Sequence, residues 1–144
     1  MTAVEMAVYY KNIIAGLDKI YRKFGYCSGS TFNFEDNEPG GEARIAEIMA
    51  ALRAGETAFD AEAQDYINGG DNLPKADILK YRFNDGSIVY IRPSGTEPKL
   101  KSYIFAQGRS EAEAARMCSD KTTLIKEAVE KIKEDLAGDQ NGRE

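Results

Sequence analysis

Three strand-like runs follow one another through short connections between residues 78 and 106, and they restrict the possible folds more than any other stretch. Residues 78–83 and 87–92 are rich in β-branched and aromatic side chains, and Asp85-Gly86 between them is a strong two-residue hairpin signal. Residues 100–106 form a third such run. Strands joined this closely pair antiparallel. The connection Arg92-Pro93-Ser94-Gly95-Thr96-Glu97-Pro98-Lys99 therefore joins neighbouring strands and is mounted on a rigid sheet.

The remaining segments supply layers for that sheet. Over residues 3–24, Met6, Tyr10, Ile13, Leu17, Ile20 and Phe24 recur at steps of three and four, which predicts one amphipathic helix ended by Gly25. Phe32 and Phe34 alternate with polar neighbours and predict a strand over 28–36. Pro39-Gly40-Gly41 breaks the chain, and Ile45, Ile48, Met49 and Leu52 predict a helix over 40–54 closed by Gly55. Over residues 57–68, Phe59, Ala61, Ala63 and Asp65 are read as a short strand despite poor propensity, and residues 68–72 form a loop. Ser110-Glu111-Ala112-Glu113 is a capping box that opens a long helix. Its expected buried stripe is Met117, Leu124, Ala128, Ile132 and Leu136, interrupted by Thr122-Thr123. Residues 138–144 are expected to be a frayed polar tail. The sum is an α+β fold, an antiparallel sheet of four to five strands with helices on one face.

The 92–103 stretch is also where the chain's chemistry concentrates. Pro93 pushes Arg92 toward extended backbone, and its guanidinium is a planar fork suited to phosphate. Gly95 can take a positive φ and lets a ligand approach closely. The N–H groups of Gly95 and Thr96, with the hydroxyls of Ser94 and Thr96, can donate to an anion held in a nest of amides. Lys99 and Lys101 share one strand face. Glu97, repelled by phosphate, is expected to orient Arg92 or Lys99, and Tyr103 to pack on the sheet. An ordinary polar hairpin connection is the competing reading.

Charge favours the anion. Residues 75–109 hold seven cations against three anions, a local +4 in a chain of net charge −5 whose remainder sums to −9. Such an island suits a small anionic ligand better than a long polyanion. Histidine is absent, and Cys27 and Cys118 stand alone, so neither imidazole chemistry, a zinc site nor a redox pair is indicated. Glu35, Asp36, Glu38, Asp71 and Asp77 lack metal-ligand spacing and are read as solvated surface. No run approaches a membrane span, and no signal segment precedes the first helix, so a cytoplasmic location is the default.

The run Arg92-Pro-Ser-Gly-Thr-Glu-Pro-Lys-Leu-Lys closely resembles the phosphate-binding loop in the C-terminal domain of the α-D-phosphohexomutases, the phosphoglucomutase and phosphomannomutase family. Leu73-Pro74-Lys75, Asp85-Gly86 and the helix around Glu5–Tyr10 extend the resemblance over most of the chain. It implies a sheet domain similar to the TATA-binding-protein fold, with residues 1–25 as the last helix of a preceding domain, 26–137 as the C-terminal phosphate-binding domain and 138–144 as a disordered tail. That helix is expected to fold back on the domain or to expose apolar surface and self-associate. It also implies Arg92, Ser94, Gly95, Thr96 and Lys101 as contacts to substrate phosphate, with Glu97 and Lys99 in support.

Mutases of this kind interconvert hexose 1-phosphate and 6-phosphate through a bisphosphate. They use a phosphoserine, a magnesium loop and a sugar-selecting loop on earlier domains. None of these motifs occurs here, so the resemblance implies a non-catalytic domain whose partners are a hexose phosphate and missing N-terminal mutase domains; magnesium is expected only in the full-length enzyme, and no cofactor, catalytic residue or metal site is assigned to this chain. Neither nucleic acid nor membrane is an expected partner, since the surroundings are acidic and no stacking pair is evident. An amino-sugar mutase and a nonenzymatic anion- or partner-binding module are the alternatives.

Overall fold

The computed structural model describes residues 2–57, 59–70 and 72–141. In chain order these form α1 (Ala3–Tyr10), α2 (Ile13–Phe24), β1 (Tyr26–Glu35), α3 (Gly41–Ala54), β2 (Ala61–Asp65), β3 (Leu79–Phe83), β4 (Ile88–Pro93), β5 (Lys99–Gly108) and α4 (Glu111–Asn141). The five strands make one antiparallel sheet in the order β1-β5-β4-β3-β2, with helices α3 and α4 on the face that forms the core. The α+β reading is correct.

Strand parity explains the two faces. Leu100, Ser102, Ile104 and Ala106 of β5 are buried together with Val89 and Ile91 of β4 and Leu79, Tyr81 and Phe83 of β3. They pack against Ile45, Ile48, Met49 and Leu52 of α3 and Cys118, Ile125, Val129 and Ile132 of α4. The alternate residues, Arg92, Lys101, Tyr103, Tyr90 and Phe105 among them, lie on the open face. Tyr90 and Phe105 meet edge to face at 6.2 Å and Phe105 is half exposed, an aromatic pair that was not evident in the sequence. Among the described residues no helix is long and apolar enough to cross a membrane.

Local chemistry corrects several sequence expectations. Residues 3–24 form two helices: Lys11 adopts the left-handed region at φ 59° and Asn12 accepts the Ile14 N–H at 2.9 Å, restarting the chain as α2. Apolar spacing runs through the break because one left-handed residue hardly alters a three-to-four rhythm. Val4, Val8, Tyr9, Ile14 and Phe24 are exposed, while α2 meets β1 through the stacked rings of Tyr21 and Tyr26.

The β3–β4 hairpin has a three-residue loop, Asn84-Asp85-Gly86. Gly86 at φ +85° donates to the Phe83 carbonyl, and the Phe83 N–H donates to the Ser87 carbonyl at 2.9 Å. The Asp85 carboxylate accepts from the Ser87 N–H at 2.9 Å and meets Lys121 of α4 at 2.7 Å.

The buried stripe of α4 runs through Ala114, Cys118, Ile125, Val129 and Ile132, with Met117, Leu124 and Leu136 along its edge. It is rotated from the expected one because the helix lies across both β1 and β5. There the Cys118 thiol donates to the Ser28 carbonyl at 3.3 Å, and the Thr122 hydroxyl turns back to the Cys118 carbonyl at 2.8 Å. The helix continues through Asn141, where a frayed tail from Gly138 was expected. Residues 142–144 lie outside the described residues, as does Asp71.

Asp36 is the largest departure. Expected at the surface, its side chain is fully buried, gripped by Arg44 of α3 at 2.6 and 2.8 Å and approached by Lys133 of α4 at 3.4 Å. The Arg44 hydrogen bonds hold its carboxyl down at about 2, despite the opposing effect of burial. Gly41 makes the approach possible: a Cβ there would lie 1.9 Å from the Asp36 carbonyl oxygen. The end of β1 and the start of α3 are thus locked together, and α4 is drawn to the same carboxylate.

Candidate functional site

Three backbone bonds hold the loop between β4 and β5 at its base. The Ser94 N–H donates to the Lys99 carbonyl at 2.8 Å, the Lys99 N–H to the Glu97 carbonyl at 2.7 Å, and the Asp36 N–H to the Pro98 carbonyl at 2.9 Å. The buried Asp36 anchor is therefore coupled directly to the loop exit. At the exposed tip the situation reverses. Among the described residues the N–H groups of Gly95, Thr96 and Glu97 have no acceptor within the chain. Consecutive free donors of this kind are what an anion nest requires.

Of the two uses read for Gly95 in the sequence, a positive φ and room for close approach, the structure lacks the first and keeps the second. Its φ is not positive, and a Cβ built on it meets no atom within 4 Å. The glycine keeps the space above the tip clear rather than relieving backbone strain.

The cations divide sharply. Arg92 and Lys101 are direct cross-strand partners on the open face, and among the described residues neither forms an ion pair. Like charges set opposite one another are unfavourable unless an anion intervenes. Arg92 Nη2 donates to the Tyr103 hydroxyl at 3.4 Å, and the guanidinium carbon stands 5.9 Å from that ring's centre. The hydrogen bond from Arg92 holds the Tyr103 phenol below its ordinary ionisation value. Lys99, on the same strand face, is engaged by Glu97 at 2.9 Å and Glu35 at 3.5 Å, which raises its pKa. Lys99 clamps the loop base to β1 and is less available to a ligand than Lys101.

On the helix side Ser94 and Gly95 border a cleft of about 300 Å³ that reaches Glu42, Met49 and Asp77. Arg53 also lines it, but its guanidinium is held by Asp65 at 3.1 Å and by Asp77. The structure therefore brings Arg92 and Lys101 together on one side of the loop, sets Ser94 and Gly95 at its helix-side flank and leaves Thr96 at the exposed tip. A larger cavity of about 960 Å³ lies away from the loop, between α2 and the start of α4. It is lined by three arginines and by Asp85, Glu113 and Asp120, so its charge is largely internally balanced. Among the described residues no three Cys, Asp or Glu side chains gather as a metal site.

Sequence reasoning missed Asp36 as the anchor and Tyr103 as the partner of Arg92. The Gly40-Gly41 pair ahead of Arg44 was a usable signal for the first. A diagonal cross-strand contact two residues out of register left none for the second.

Comparison with known proteins gives a concordant result. Residues 33–124 match the family model for the phosphoglucomutase/phosphomannomutase C-terminal domain. The chain is 32% identical over 104 residues to a phosphoglucomutase of Staphylococcus epidermidis, covering 61% of this chain and 19% of that protein. It is 30% identical over 126 residues to a phosphoglucomutase of Staphylococcus saprophyticus, covering 70% of this chain and 22% of that one. The open form of Paramecium parafusin, a phosphoglucomutase, superposes with a TM-score of 0.57 at 19% identity over 87% of this chain and 25% of that one, a likeness of fold. The chain spans about a fifth of the length of the curated relatives it matches.

Proposed function

The chain belongs to the phosphoglucomutase/phosphomannomutase family, as a C-terminal domain, and on that premise we propose that its β4–β5 loop grips the phosphate of a hexose phosphate that is not undergoing transfer. The observation that carries this reading is the coincidence of free Gly95, Thr96 and Glu97 N–H groups with the unpaired cations Arg92 and Lys101. Arg92 offers two parallel N–H donors to phosphate oxygens, Lys101 adds a point charge, and the tip amides with the Ser94 and Thr96 hydroxyls complete the donor set. Glu97 and Lys99 neutralise one another at the loop base.

Holding one phosphate positions the rest of the hexose for transfer at its other end. In the complete enzyme the reaction would be interconversion of hexose 1-phosphate and 6-phosphate through a bisphosphate. Because that intermediate must turn around, the loop has to accept either phosphate and later release it. Hinged closure of this domain, with the hinge between the first helical segment and Ser28, would accompany each grip. Magnesium, expected of the complete enzyme, finds no cluster of ligands among the described residues, so no step here runs through it.

Charge-assisted hydrogen bonds of roughly 1.5 to 3 kcal/mol each are largely offset by binding costs of about 4 to 15 kcal/mol. The chain by itself should therefore bind phosphate in roughly the millimolar range, and it should show no turnover. A ¹⁵N–¹H titration with glucose 1-phosphate, mannose 1-phosphate and inorganic phosphate tests the reading. Shifts centred on Gly95 and Thr96, alike for all three ligands and lost in Arg92→Ala, are expected. An unperturbed loop at tens of millimolar phosphate would refute it.

A further inference from the structure

We infer that Tyr103 is an additional ligand-contacting residue, whose hydroxyl donates a hydrogen bond to the same anion that Arg92 binds; this rests on the phosphate-grip reading. Tyr103 follows Lys101 by two residues on β5, so both share the open face, and it lies diagonally across from Arg92 on β4. The Arg92 guanidinium leans along the sheet toward it, donating Nη2–H to the phenolic oxygen at 3.4 Å with the ring close by. That bond occupies a lone pair of the oxygen and leaves the phenol's own proton undirected. Among the described residues the Tyr103 hydroxyl donates to nothing in the chain.

Three groups thus converge on one small patch: a guanidinium, an ammonium and a phenol, all able to donate and none bonded to a carboxylate. A neutral packing tyrosine would gain as much from Phe, whereas a hydroxyl polarised by a cation is a strengthened donor. Its lowered ionisation point reports the same polarisation. An anion between Arg92 and Lys101 can come within hydrogen-bond reach of that hydroxyl, because Arg92 Nη2 already stands 3.4 Å from it. Tyr103 would then select for ligands carrying a hard oxyanion.

The experiment is a pair of readouts on the whole chain with inorganic phosphate as the probe. Tyr103→Phe keeps the ring and the sheet packing and removes only the hydroxyl. It is expected to weaken phosphate binding about three- to tenfold, the fold-change of one hydrogen bond, with an unchanged melting temperature. In the unmutated chain the Tyr103 ¹³Cζ resonance, assigned by its absence in Tyr103→Phe, should titrate at higher pH when phosphate is saturating, since a bound anion disfavours the phenolate. Affinity retained in Tyr103→Phe, or a Tyr103 ionisation that ignores phosphate, overturns the contact. If Arg92→Ala abolishes binding in that case, the grip itself stands; if Arg92→Ala also leaves binding intact, the grip fails along with the contact.

Discussion

Two charge clusters flank the exit of the β4–β5 loop and behave in opposite ways. Around Asp36 a buried carboxylate is engaged by both Arg44 and Lys133, each cation has a carboxylate partner, and the groups join β1, α3 and α4. Around Arg92 and Lys101 two cations face one another on the open side, and among the described residues neither forms an ion pair and the adjoining amides are unbonded. A single hydrogen bond, from the Asp36 N–H to the Pro98 carbonyl, connects the two. The closed cluster holds the chain in place; the open one is left for something outside it. Satisfaction of charge, rather than its amount, separates structural residues from candidate binding residues in this domain.

The strongest way to break the comparison is to attack the closed cluster. Gly41→Ala forces a methyl into the Asp36 carbonyl and should cost about 3 kcal/mol or more, lowering the melting temperature by about 10 °C. Loop amides should lose hydrogen-exchange protection at the same time. Next in size, Arg92→Ala should raise the dissociation constant for phosphate by about tenfold or more while leaving the thermal melt unmoved, because among the described residues Arg92 has no ion pair to lose.

Of the two clusters, acid should act on the closed one. Asp36 ionises at about 2 in the folded chain against an ordinary 3.8, so its stabilisation is whole above the ordinary value and is lost as pH falls toward the folded one. A urea-melt series across that window should lose about 2 kcal/mol, and Asp36→Asn should flatten the dependence. Two smaller effects sharpen the contrast. Gly95→Ala should leave stability unchanged, since its Cβ meets nothing in the protein, yet weaken phosphate binding by crowding the tip. Lys101→Ala should weaken binding more than Lys99→Ala, for which calorimetry should find about a twofold change.

Much of this was legible in the residues. The paired runs 78–83 and 87–92, the capping signal at Ser110 and the Arg92–Lys101 loop pointed to the sheet, the helix and the candidate site, because turn chemistry and side-chain parity act over a few residues. The helix break at Lys11-Asn12 was not, since hydrophobic period continues across a single left-handed residue. Likewise Gly95 looked like a conformational glycine from its neighbours, and only the folded loop reveals a residue without a positive φ and with clear space above it.

The sequence by itself determined the strands, their antiparallel pairing and the gathering of cations in one connection, all consequences of local pattern. Tertiary structure alone decided which charges are spent. Lys99 meets Glu35 from 64 residues away, and Lys133 reaches Asp36 only when α4 crosses β1. Asp36 was indistinguishable from a surface carboxylate until α3 and α4 closed over it. Ion pairing and desolvation depend on distances in space, and those exist only once the layers have packed.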